Sequence, residues 1–159
     1  MTFRLAVAVA LLLAPKVTHA QEMEVGRTVP SAQLQTLDGK SVDLKQVAKG
    51  PAVIEFWATW CENCEHLLPT MQKAFATYGK KVTFVAVAVN VNQSQQRVKL
   101  HVGKYKVPGE QLYDLKGDAT DKWDVPATSF VVVIDKSGKV VYTGVGGTQD
   151  IEAAIKKAL

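Results

Sequence analysis

Two stretches of this chain are apolar almost without interruption, Ala52-Val53-Ile54-Glu55-Phe56-Trp57 and the run from Val82 to Val89. Both have strand length, and near-continuous apolar runs of that length suit central parallel strands covered on both faces. Between them, Glu62 to Tyr78 carries Leu67, Leu68, Met71, Phe75 and Tyr78, mostly three or four residues apart. That spacing predicts a helix with one buried stripe, stopped by Gly79. Strand, helix and parallel strand make a βαβ unit.

The flanks read more simply. Gln33 to Leu37 and Ser41 to Leu44 alternate on either side of Asp38-Gly39, a turn-forming dipeptide, and predict a hairpin. The polar segment Gln93 to Tyr105, with Val98, Leu100 and Val102 among Gln, Lys and Arg, predicts a helix that crosses to the other sheet face. Thr128 to Asp135 and Lys139 to Thr143 predict an antiparallel pair joined at Lys136-Ser137-Gly138, with Gly144, Gly146 and Gly147 breaking the second strand. Asp150 to Leu159 closes the chain as a helix with Ile151, Ala154, Ile155 and Ala158 on one face. The expected fold is α/β: an amino-terminal hairpin, then β-α-β-α-β-β-α, a mixed sheet with helices on both faces.

Composition changes this picture only at the amino terminus. Arg4 is followed by the apolar run Leu5 to Ala14, then Pro15, then the small-residue approach Thr18-His19-Ala20 to a cut before Gln21. A run of about ten residues is too short for the ~20 that span a bilayer, so residues 1–20 read as a cleaved secretory signal peptide, with a membrane anchor the weaker alternative. Residues 21–159 are then one domain in an oxidising, non-cytosolic compartment, periplasmic in a bacterium. Losing the leader, which holds Arg4, Lys16 and no acid, takes the formal charge from +4 to +2, too mild for nucleic acid. No apolar stripe is left over once the core faces are assigned, so the expected state is a monomer, and no residue pattern calls for a cofactor.

The chemistry sits where the first apolar strand meets the long helix, at Trp57-Ala58-Thr59-Trp60-Cys61-Glu62-Asn63-Cys64. Unpaired N–H groups at a helix start carry about half a positive charge and favour a thiolate, the form that attacks disulfides. Cys61 stands there as the attacking thiol. Cys64, one turn deeper on the same face, can displace the substrate from a mixed disulfide. Glu55 lies inside the apolar run, where an unpaired carboxylate is costly and holds its proton, and near the strand end that carries the cysteines. It is a candidate general base for Cys64 unless that strand is an edge and Glu55 points to water. Cys61, Cys64 and His66 give at most three metal ligands where a closed zinc site wants four.

Together these residues resemble the thioredoxin superfamily, and with the leader, hairpin and mid-chain insertion they are similar to the periplasmic TlpA-like reductases. The resemblance spans roughly Val25 to Leu159, with Pro69 at the usual helix kink. It implies a thioredoxin-like fold, substrate binding at Trp60, Val125 and Pro126 with a cis Val125-Pro126 bond, and Glu55 as the family's buried acid. It also implies a membrane thiol–disulfide donor as electron source and disulfides of exported proteins as clients, apocytochromes c being one class. Asn63 stands where proline is common, and Leu67 where some members carry a functional glutamate. Glu62 and Glu65 set negative charge beside the thiols and favour a reductase. The alternatives are a disulfide-forming oxidase, a copper or zinc chaperone using Cys61, Cys64 and His66, and a redox-inert binding module.

Overall fold

The structure, a computed structural model, describes residues 23–159, so the leader expected over residues 1–20 and its cut before Gln21 lie outside the described residues. The chain runs β1 (Gln33–Thr36), β2 (Ser41–Asp43), α1 (Leu44–Val47), β3 (Ala52–Trp57), α2 (Glu62–Tyr78) and β4 (Thr83–Val89). It continues through α3 (Gln95–Tyr105), β5 (Glu110–Asp114), α4 (Asp118–Lys122), β6 (Phe130–Ile134), β7 (Val140–Val145) and α5 (Ile151–Lys156). Among the described residues the strands form one seven-stranded sheet ordered β2-β1-β5-β4-β3-β6-β7. The two apolar runs are its centre: β3 pairs in parallel with β4 and antiparallel with β6, and every residue of β3 is buried.

Alternation along β3 sorts the two faces. Val53 points to a layer built with Leu67 and Met71 of α2 and Ile151 and Ile155 of α5. Ile54 and Phe56 point the other way, where Phe56 meets the rings of Trp123 at 5.7 Å and Phe130 at 6.2 Å. The helices α3 and α5 each begin on a side-chain cap that the sequence supplies. Ser94 accepts from Arg97 N and Asp150 from Ala153 N, which satisfies donors the helix cannot.

Several expectations need correction. The helix over Gln95–Tyr105 does not cross the sheet; it lies beside α2, whose Gln72 Nε2 donates to the carbonyls of Tyr105 at 3.0 Å and Lys106 at 3.3 Å. The cause is handedness. The steps β3 to β4 and β4 to β5 both move toward the same sheet edge, and two right-handed crossovers in one direction put both helices on one face. The other face is covered by Trp123, at the end of α4, and by Leu44 of α1.

β5 and α4 are additions to the expected order, and so is α1. Glu110-Gln111-Leu112-Tyr113-Asp114 begins and ends polar, yet Asp114 is wholly buried. Its carboxylate accepts from Ala119 N at 3.2 Å, Thr120 N at 2.8 Å and Thr120 Oγ1 at 2.7 Å, so a polar residue locks β5 to the start of α4. Gly109, at φ +85°, admits the entry to β5; a Cβ there would run into the Phe84 carbonyl. β7 also passes through Gly144, paired with Val131, rather than stopping before it. The Tyr142 hydroxyl and Gln149 Oε1 crowd the space a Cβ would take, a strand use of glycine that sequence punctuation does not show.

Candidate active site

Three anchors fix the loop between β3 and α2. Cys61 N donates to the Ala58 carbonyl at 3.2 Å, Thr59 N to Gln93 Oε1 at 2.8 Å, and Trp60 Nε1 to the Val91 carbonyl at 2.8 Å. Gln93 is itself held by Tyr113, whose hydroxyl donates to its carbonyl at 3.0 Å, so the inserted segment braces the redox loop. Cys61 is the N-cap of α2, in extended backbone, and its Sγ accepts from Cys64 N at 3.1 Å. The two sulfurs are joined as a disulfide, with Cα atoms 5.2 Å apart. Sequence spacing and helix register thus bring the pair together as expected, on the positive end of a 17-residue helix.

Glu55 is buried, and the strand that holds it is central rather than an edge. Its cross-strand partners are Ala86 on β4 and Val131 on β6, so on its own face it stands between two aliphatic side chains. With burial as its cause, the carboxyl pKa rises from 4.5 to about 8. In this oxidised state the group therefore carries a proton at neutral pH.

A cleft of about 470 Å³ opens between α2 and α3 onto Cys61, Cys64 and Glu55. Its α2 wall carries Glu62, Glu65 and Leu68; its α3 wall carries Arg97, Leu100, His101, Lys104 and Tyr105. Trp57, Ala58, Thr59 and Trp60 line it from the loop side. The His101 ring lies 5.3 Å from Trp57 and 4.4 Å from Tyr105, and burial lowers its pKa against the opposing pull of Glu65. Sequence reasoning missed the α3 wall. Its signal was present: positions 97, 100, 101, 104 and 105 recur at helical spacing on one face, but that face is mostly polar and does not register as a core stripe.

Of the remaining expected residues, Trp60 lines this cleft, whereas Val125 and Pro126 do not. The Val125-Pro126 bond is trans, which corrects the expected cis bond; all peptide bonds among the described residues are trans. Trans is favoured even before proline by about 0.5–1 kcal/mol, and here left-handed Asp124 and Ser129 turn the chain into β6. Ser129 Oγ donates to the Gly146 carbonyl at 3.0 Å. Gly147 backs onto α2, where a Cβ would sit 2.7 Å from His66 Cβ and 3.1 Å from the Asn63 carbonyl oxygen. His66 therefore faces that loop, about 100° round the helix from Glu65. Among the described residues no three His, Cys, Asp or Glu side chains gather as a metal site, and no helix is long and apolar enough to cross a membrane.

The Redoxin family model matches residues 24–159 of this chain. The thiol-disulfide oxidoreductase ResA of Bacillus thuringiensis subsp. konkukian is 28% identical over 142 residues, covering 88% of this chain and 82% of the relative. A thioredoxin-like protein from Porphyromonas gingivalis, solved in solution, superposes with a TM-score of 0.66 at 30% identity over 81% of this chain and 87% of its own. A thioredoxin-family thiol:disulfide interchange protein from Chlorobium tepidum gives a TM-score of 0.71 at 24% identity over 84% and 96%, a likeness of fold. With the match spanning the whole described domain and the cysteine pair seated at the start of α2, the chain belongs to the Redoxin family and is a thioredoxin-like thiol–disulfide oxidoreductase.

Proposed function

We propose that the protein works as a reductase of disulfides in exported proteins, with Cys61 as nucleophile, Cys64 as resolving thiol and Glu55 as proton acceptor. The observation that carries the direction is the pair of acids in the first turn of α2, Glu62 and Glu65, set against the helix dipole at the capping sulfur. They oppose accumulation of negative charge on Cys61, and a less stabilised thiolate leaves the dithiol the stronger electron donor.

In the reduced protein the Cys61 thiolate attacks one sulfur of a client disulfide, forming a mixed disulfide and releasing the other client sulfur as thiolate, which takes a proton from water. Cys64 then loses its proton to the Glu55 carboxylate and attacks Cys61 Sγ. The second client sulfur leaves, protonated by solvent, and the protein holds a disulfide with Glu55 protonated. A Glu55 pKa of about 8 in the oxidised form agrees with that end state, in which about nine carboxyls in ten keep the proton at pH 7. Two electrons have moved from the cysteine pair to the client. A membrane thiol–disulfide donor restores the dithiol, Glu55 returning its proton to Cys64.

Trp60, 44% exposed and tethered through its indole N–H, gives clients a rigid apolar platform; the resemblance alone supports a client contact at Val125 and the exposed Pro126. The leader pattern of residues 1–20 supports export and periplasmic placement, and the resemblance supports apocytochromes c as one client class. The deciding measurement is the equilibrium redox potential of the Cys61–Cys64 pair, with insulin reduction in the same sample. A potential near the thioredoxin value of about −270 mV is expected, and one near about −120 mV, that of a strong oxidant, refutes the direction.

A further inference from the structure

Four charged side chains on the two helical walls of the cleft between α2 and α3 take part in none of the ion pairs. Arg97 and Lys104 stand on α3, Glu62 and Glu65 on α2, two of each sign on facing walls, with no contact across the gap within 4.0 Å. Surface charges of opposite sign on neighbouring helices ordinarily close into pairs where the backbone allows. Here the aromatic wall of Trp57, His101 and Tyr105 holds them apart around about 470 Å³ of space. Two further donors belong to lining residues and find no acceptor. Trp57, only 3% exposed, has its Nε1 unpartnered, and so does Thr59 at Oγ1. Both atoms are closed off behind the cleft wall, so the charged side chains are the polar groups that face the space.

Resting on the reading of Cys61 and Cys64 as a redox pair, we infer that this cleft binds a low-molecular-weight amphoteric disulfide. Its carboxylates meet Arg97 and Lys104, and its ammonium group meets Glu62 and Glu65. The volume suits a few-residue peptide rather than a folded client, and the cleft opens directly on the sulfurs that would exchange with it. The reaction balances without another reagent. The reduced pair gives two electrons to the ligand disulfide; the Cys61 thiolate forms and Cys64 breaks the mixed disulfide; two ligand thiolates leave and are protonated by solvent, Glu55 keeps the Cys64 proton, and the protein disulfide remains.

The test uses the full domain, reduced, and follows its oxidation by stopped-flow fluorescence with glutathione disulfide, cystine and the uncharged hydroxyethyl disulfide. The readout is each amphoteric rate divided by the uncharged one. In Arg97→Glu/Lys104→Glu both ratios should fall by roughly five- to tenfold, two screened surface contacts being lost and reversed. In the unaltered protein the ratios should fall on raising salt from well below to well above the ionic strength at which the Debye length is ~10 Å, which keeps the test open if the variant does not fold. Ratios unmoved by both charge reversal and salt overturn the assignment while leaving the redox pair intact. A fall for glutathione disulfide alone narrows the ligand to a peptidic disulfide, a fall for cystine alone to a single amino-acid disulfide. Failure of all three disulfides to oxidise the reduced protein would instead remove the redox reading itself.

Discussion

Replacing Glu55 by glutamine should change how stability depends on pH, and in the direction opposite to an ordinary carboxylate. The folded pKa is about 8 and the unfolded value 4.5, so between them the unfolded chain has released a proton that the folded chain still holds. Stability from this group is fully present below 4.5, declines by about 1.4 kcal/mol for each pH unit above it, and is gone above about 8. Over the whole window the loss approaches about 5 kcal/mol, a third or more of the stability of a typical domain. Glutamine keeps the shape, stays neutral at every pH and removes this dependence. Carboxylates such as Asp118 and Asp135, held below their ordinary range by hydrogen bonds, lose stability only in acid, and they do so equally in both proteins. Urea unfolding of the oxidised proteins from about pH 5 to about pH 9 should therefore show near-equal stability at the acid end. At the alkaline end the variant should be ahead by several kcal/mol. A difference that stays constant across the range refutes the apolar setting of Glu55 between Ala86 and Val131.

Four other outcomes follow from the described contacts. Glu55→Gln should also slow insulin reduction by at least about tenfold at neutral pH while the oxidised fold is kept, since general base assistance is typically worth 10²–10⁴. Asp114→Ala strands the donors of Ala119 and Thr120 and should cost about 2–4 kcal/mol in urea unfolding, with Asp114→Asn recovering part of it. Gly109→Ala, forced against the Phe84 carbonyl at φ +85°, should cost about 2–3 kcal/mol by the same assay. With a client disulfide, Cys64→Ser should accumulate a mixed disulfide visible by intact mass, and Cys61→Ser should not; the reverse pattern exchanges the two roles.

The centre of the fold was legible because burial on both faces leaves an unmistakable apolar run, and Glu55 stood out against it for the same reason. The cysteine pair was legible because its spacing is local and its meaning depends only on the strand before it and the helix after it. What escaped rests on specific polar contacts rather than on apolar pattern. β5 is held by a buried polar residue, Asp114, whose partners lie five and six residues downstream on α4, and hydrophobic pattern carries no trace of such a lock. The trans bond before Pro126 and the left-handed Asp124 and Ser129 answer to how the segment is tied to Gly146, which no dipeptide rule contains.

The misplaced helix matters more than these, because function turns on it. A helix between two parallel strands has no face of its own in the sequence; its side of the sheet depends on where the next strand docks. Had β5 been recognised beside β4, right-handed crossover would have put α3 next to α2 without further information. The polar residues Arg97, His101 and Lys104 would then have stood over the cysteines instead of looking like a solvated surface. One strand with polar ends thus decided whether the site was a bare disulfide at a helix tip or a walled cleft, and the charge-reversal experiment on α3 tests what that wall is for.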